Sequence, residues 1–304
     1  MKLPMRRAAA IATAAAVAVT LAACGPSETT DAGAATGGGA AEDDKTITIG
    51  VHSGWDEGIA VSHLWQRILE DEGYDVELET ADAGVVFTGL AEGDYDLNFD
   101  TWLPLTHASY MDEYGDKLEE LGTWYDDAKL TIAVNEDAPI DSLAELADNA
   151  DLFGNKLVGI EAGAGLTKTT QEQAIPTYGL EKMEYLISST PAMLAELDGA
   201  TKAGNNVAVT LWRPHWAYDA YPIKDLEDPE GAMGAAEEIK TMGTKGFAEA
   251  NPDVAGWIKK FTLTDEQLFS LENIMFNEMD GKDNDAAVDQ WLEENPYFVA
   301  GITG

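Results

Sequence analysis

Three tryptophans stand immediately after segments whose composition reads as β-strand: Trp55 in Gly54-Trp55-Asp56-Glu57, Trp102 in Asp100-Thr101-Trp102-Leu103-Pro104, and Trp212 in Trp212-Arg213-Pro214-His215-Trp216. An indole in a loop is costly unless its ring is packed or used. Three such faces can box in a cation, each contributing quadrupole attraction to a charge too diffuse for a salt bridge. Quaternary ammonium has no N–H to donate, so aromatic faces are its natural partner. Packing in a core or between lobes is the competing use of these rings. Trp65, Trp124, Trp216, Trp257 and Trp291 are assigned to core or surface packing.

The run Glu161-Ala-Gly-Ala-Gly-Leu-Thr-Lys-Thr169 follows a strand ending at Ile160 and opens a helix. Gly165 and Leu166 then fall at a helix N-terminus, where free backbone N–H groups can hold an anion such as a carboxylate. A flexible strand-to-helix turn is the plainer reading of the same glycines. His107 lies five residues beyond Trp102, just past Pro104, and is placed to donate a hydrogen bond to that same carboxylate; a structural histidine is its alternative. No glycine immediately precedes Lys168, and no third glycine follows Gly163 and Gly165 at the dinucleotide spacing, so neither a P-loop nor a cofactor loop is supported and no cofactor is expected. His52, His63, His107 and His215 show no metal spacing, and no cysteine follows Cys24, so no metal site is expected. There is no Gly-x-Ser-x-Gly elbow, and carboxylates are too abundant for any acid–base pair to stand out. No catalytic residue is assigned, and the chain is not expected to be an enzyme.

Strand-like and helix-like segments alternate along the rest of the chain, which predicts an α/β protein with largely parallel sheets. Strands are expected at 46–51, 74–79, 95–99, 130–134, 156–160, 207–211 and 238–242. Helices are expected at 59–71, 85–92, 142–147, 167–175 and 191–197, with two or three more toward Trp291. Two consecutive α/β series followed by a return to helices suggest two lobes: residues 46–133 with 239–304 form the first, and 134–238 the second. Ligands of such proteins sit between lobes, at the carboxyl ends of strands. No repeat of 20 to 50 residues is visible.

Residues 1–23 combine a basic start with an apolar run from Ala8 to Val19, shorter than the roughly 20 residues a bilayer requires, and read as a secretory signal peptide. Leu21-Ala22-Ala23-Cys24, followed by Gly25, resembles a bacterial lipobox in which Cys24 is acylated and becomes the mature N-terminus; an ordinary secretory cleavage site is the alternative. Residues 24–45 add a tether of Gly, Ala, Ser, Thr and acid that has nothing to bury. The expected location is therefore extracytoplasmic, with membrane contact through the lipid only. Loss of Lys2, Arg6 and Arg7 leaves 15 bases against 56 acids, a formal charge of −41, and such a surface repels nucleic acid and anionic lipid headgroups.

Taken in order, Gly54-Trp55-Asp56-Glu57, Asp100 to Pro104 with Thr106-His107, Leu121 to Tyr125, Gly159 to Gly165, Ala192 to Ala195 and Trp212 to Trp216 resemble the glycine betaine-binding proteins of osmoprotectant ABC transporters, the OpuAC- and ProX-type receptors. The resemblance covers nearly all of the chain after the tether. It implies a two-lobed type II periplasmic-binding-protein fold that closes on its ligand about a hinge. It also implies a trimethylammonium group enclosed by Trp55, Trp102 and Trp212, and a carboxylate held by the amides of Gly165 and Leu166 and by His107. The implied partners are a small quaternary-ammonium ligand and an ABC permease with its ATPase subunits; a monomer is expected. An extracytoplasmic enzyme on a choline-type ester, or a ligand sensor, is the alternative on the same architecture.

Overall fold

The computed structural model describes residues 45–304; the signal peptide, Cys24 and all but the last residue of the tether lie outside the described residues. Nine strands follow in chain order: β1 (Thr46–His52), β2 (Asp75–Ala81), β3 (Leu97–Leu103), β4 (Leu118–Asn135), β5 (Lys156–Val158), β6 (Glu184–Leu186), β7 (Ala208–Arg213), β8 (Ile223–Asp225) and β9 (Glu237–Thr244). The helices of the first half are α1 (Asp56–Asp71), α2 (Ala83–Glu92), α3 (Ala108–Tyr114) and α4 (Leu143–Leu146). The middle of the chain adds α5 (Gly165–Thr169), α6 (Ile175–Tyr178), α7 (Thr190–Ala203) and α8 (Ala217–Ala220). The remainder are α9 (Phe247–Ala250), α10 (Pro252–Ile258), α11 (Asp265–Glu272), α12 (Asn284–Glu294) and α13 (Phe298–Thr303).

Local chemistry accounts for most of these. Helix α1 buries Ala60, Val61, Leu64, Trp65, Ile68 and Leu69, a stripe recurring every three to four residues, and carries Asp56 and Glu57 in its first turn, where the helix dipole favours acids. Helix α7 starts where Ser189 accepts a hydrogen bond from the Ala192 amide, with Pro191 in its first turn, and stops at Gly204 in the left-handed conformation.

The strands form one path in the order β2-β1-β3-β9-β4-β7-β5-β6, with β8 on β4. The expected predominance of parallel pairing is corrected. β1 with β2 and β3, and β5 with β6 and β7, are parallel, but β3–β9, β4–β9, β4–β7 and β4–β8 are antiparallel. The reason lies in β4. Its residues 118–128 pair with β9 and residues 129–135 with β7 and β8, so one strand of 18 residues belongs to both halves of the sheet while β9 runs back beside it. Three irregularities in the β4–β9 register, between Glu120 and Gly122, Thr123 and Tyr125, and Tyr125 and Ala128, are of the kind that bend and twist a ladder. Among the described residues no helix is long and apolar enough to cross a membrane.

Candidate functional site

Two of the three tryptophans are not in loops. β3 continues to Leu103 and β7 to Arg213, so Trp102 and Trp212 lie within strands, and only Trp55 stands in a turn, as the N-cap of α1. Sequence composition ended the third strand at Phe99. The pairing of β3 with β9 shifts register between Asn98 and Thr101 and then resumes through Leu103. Such a shift re-aims the side chains that follow it.

All six residues singled out for a ligand, Trp55, Trp102, His107, Gly165, Leu166 and Trp212, line one cavity. Glu57, Thr106, Leu130, Ile160 and Ala164 complete its wall. Glu57, Thr106 and Ala164 carry no signal of their own in the sequence, although each adjoins an expected site residue or motif. Leu130 and Ile160 carry no signal beyond being strand-like.

The turn after β3 is held from behind. Glu237 of β9 accepts hydrogen bonds from the amides of Leu105 (2.6 Å) and Thr106 (2.9 Å), and its other oxygen takes the Thr106 hydroxyl. His107 then caps α3, fully buried. The Trp102 backbone N–H donates to its Nδ1 at 2.9 Å, which requires the ring proton on Nε2, and that Nε2 has no protein partner. Burial, and secondarily the neighbouring His52, hold His107 well below the usual histidine range, so it is neutral. The result is an imidazole N–H donor at the cavity wall, its ring stacked on Trp55 at 5.5 Å with 8° between planes. On the other side α5 begins after Ala164 without a side-chain cap. Its first amides have no acceptor within the helix.

Direct contacts close the cavity between residues 46–133 and 134–238. The Trp212 indole N–H donates to Glu57 Oε2 at 2.9 Å, the Trp216 indole to Asp56, and the Tyr110 hydroxyl to the Gly163 carbonyl at 3.0 Å. Gly165 lies against Thr106 so closely that a Cβ there would come within 2.0 Å of the Thr106 carbonyl oxygen.

Carboxyl groups back the indoles. Trp102 Nε1 donates to Asp100 Oδ1 at 2.7 Å. Desolvation raises Asp100 from 3.8 to about 7, with the indole bond opposing the shift. Between those values the folded protein holds a proton that the unfolded chain lacks, so the parent loses stability as pH rises from about 4 to 7. Asp100→Asn keeps the acceptor for Trp102 and does not titrate. Its stability relative to the parent should therefore climb with pH across that window, by up to roughly 1.4 kcal/mol per pH unit, and level off above 7. Urea denaturation at pH 5, 6, 7 and 8 checks this; a difference independent of pH would contradict it.

A family model described as the substrate binding domain of ABC-type glycine betaine transport system, OpuAC, matches residues 45–294. The glycine betaine/carnitine transport binding protein GbuC of Listeria monocytogenes is 34% identical over 168 residues, 55% of this chain and 54% of that relative, so the chain spans about half of that relative's length. Among solved structures, the glycine/betaine/L-proline-binding protein ProX of Borrelia burgdorferi has a TM-score of 0.79 at 29% identity, over 85% of this chain and 97% of that one. Lactococcal OpuAC, in its closed-liganded conformation complexed with glycine betaine, has the same TM-score of 0.79 at 27% identity, over 86% of this chain and 100% of that one.

Proposed function

The chain belongs to the family of substrate-binding domains of ABC-type glycine betaine transport systems, and from that premise we propose that it captures glycine betaine, or a close quaternary-ammonium analogue bearing an acid, for import. The observation that carries this reading is the meeting, in one buried cavity, of three indoles with a neutral histidine whose free N–H has no protein partner. Trp55, Trp102 and Trp212 enclose the methylated cation, at about 0.5 to 1 kcal/mol per exposed cation–π contact and about 2 or more when desolvated. The amides of Gly165 and Leu166 and the Nε2–H of His107 hold the carboxylate. Those donors are unsatisfied by a ligand lacking the acid, which sets betaines apart from choline.

Residues 46–133 with 239–304 act as one lobe and 134–238 as the other, with β4 and β9 as the strands that join them. Closure completes the site, because Trp55, Trp102 and His107 come from one lobe and Gly165, Leu166 and Trp212 from the other. The protein works outside the cytoplasm as a monomer tethered through a lipid on Cys24. It hands its ligand to a permease driven by ATPase subunits and performs no catalysis itself.

The test is calorimetric titration of residues 25–304 with glycine betaine, carnitine, choline and proline, repeated for His107→Ala. Saturable one-to-one binding of glycine betaine is expected. His107→Ala should weaken it by about 1.5–3 kcal/mol, the worth of a hydrogen bond to a charged group, and by more than it weakens any choline binding. If no methylated ammonium compound bound to a verified folded sample, the reading would fall.

A further inference from the structure

Among the described residues five acids are buried, Asp56, Glu57, Asp100, Glu237 and Glu272, whereas no lysine or arginine is. Glu237 is provided with three donors from the turn it holds. The other four gather behind the indoles with far less. Glu57 Oε2 accepts from the Trp212 indole and the residue reaches the cavity wall. Asp56 accepts from the Trp216 indole, with His215 Nε2 3.8 Å away. Asp100 uses Oδ1 for the Trp102 indole, but its Oδ2 has no partner and lies against α1, where a Cβ on Gly58 would come within 2.4 Å of it. Glu272, fully buried at the end of α11, has no partner on either oxygen; the Trp216 backbone amide is near enough to favour its ionised form without reaching hydrogen-bond geometry.

An ionised carboxylate in such surroundings requires several donors or a nearby positive charge, and neighbouring carboxylates cannot all ionise together. Desolvation accordingly raises Glu57 and Glu272 well above the ordinary range, and Asp56 and Asp100 to about 7; for Glu57 the repulsion of Asp100 and Glu272 adds to it. The other titratable groups turned toward this cluster are His52 at the end of β1, Tyr125 on β4, Glu161 after β5, His215 after β7 and Asp219 on α8. Burial holds His52 and His215 at about 3, so neither supplies positive charge near neutral pH.

We propose that Glu57, Asp100 and Glu272, with Asp56 beside them, share protons before capture and release about one as the ligand's quaternary ammonium is enclosed in front of them. The inference rests on the cation-binding reading above. The cation supplies the charge the cluster lacks and lowers the carboxyl pKa values; the proton leaves a carboxyl oxygen for solvent buffer, and the ionised cluster then attracts the ligand. Affinity therefore rises with pH through the range in which the cluster titrates, by about tenfold per pH unit for one proton released. Glycine betaine's own carboxylate is ionised throughout this range, and His107 stays neutral, so neither supplies the effect.

The experiment is titration of the wild-type protein with glycine betaine at pH 6.5 in phosphate, MES and imidazole buffers, whose ionisation enthalpies differ, together with a Kd series from pH 5.5 to 8. A binding heat that varies with buffer by the amount for about one released proton, and a Kd several-fold to tenfold weaker at pH 5.5 than at 6.5, are expected. The double variant Asp100→Asn, Glu272→Gln, verified as folded by circular dichroism, should bind with less than half of that release. Betaine binding with buffer-independent heat and a flat pH profile would overturn the proposal and leave the solute-binding function standing. Full release retained in the double variant would overturn the assignment to this cluster. No binding of any methylated ammonium compound would overturn both the proposal and the function it rests on.

Discussion

Gly165→Ala is expected to weaken glycine betaine binding by roughly 100-fold or more, about 2.7 kcal/mol, while melting close to the parent. A Cβ at this position would sit 2.0 Å from the Thr106 carbonyl oxygen and 2.6 Å from Thr106 Cγ2. The Thr106 turn cannot move aside cheaply, because Glu237 clamps it through two amides and a hydroxyl. Within its own half, Gly165 opens a helix where alanine is well tolerated and even favoured, by up to about 1 kcal/mol in a helix interior. Relief by moving Gly165 off the Thr106 turn pulls Gly165 and Leu166 away from His107. Calorimetry paired with thermal melts separates the two effects. Parent-like affinity would mean that the contact does not matter for capture.

Trp102→Ala carries the second large effect and acts on binding and stability together. Losing a desolvated cation–π face removes about 2 kcal/mol or more of attraction, and the hole it leaves loosens the other two indoles' hold, so glycine betaine binding should fall below detection at micromolar protein. Trp102 is also 3% exposed and packed in the core. Removing a buried indole costs about 3–5 kcal/mol of stability. Trp102→Phe distinguishes the roles: it keeps an aromatic face but loses the N–H donated to Asp100. It should bind measurably, at an affinity between parent and alanine variant, and the shift in melting temperature produced by excess glycine betaine should be retained in part. A phenylalanine variant as inactive as alanine would show that the indole N–H and its carboxylate matter more than the ring face.

Most of the residues expected at the site stand out in the sequence because their chemistry is unusual for its local setting. Trp55, Trp102 and Trp212 are large rings where composition predicts turns, Gly165 opens a helix after a strand, and His107 follows a proline close to one of those rings. Such signals survive without coordinates because they depend on neighbours within a few positions. Helix α1 and strands β1 and β7 were legible for the same reason, since a buried stripe or an apolar run is written locally. The first half of β4 was not: residues 118–128 are rich in acid, and only Leu118, Leu121, Trp124, Tyr125 and Ala128 of that stretch turn inward. Its strand character comes from pairing with β9, more than 100 residues away in the chain.

The sequence alone determined the kinds of groups available to a ligand: flat aromatic faces, a small residue at a helix start, an imidazole, and a strongly acidic surface. Their protonation states and neighbours follow from how the chain folds. Position along the chain cannot say that Trp212 meets Glu57 across 155 residues, or that α1, β3 and α11 bring four carboxyl groups behind the indoles with no buried lysine or arginine among the described residues to answer them. Nor can it assign protons, because the neutrality of His107 and the raised carboxyls of Asp100 and Glu272 follow from desolvation, a property of the surrounding volume and of no residue by itself.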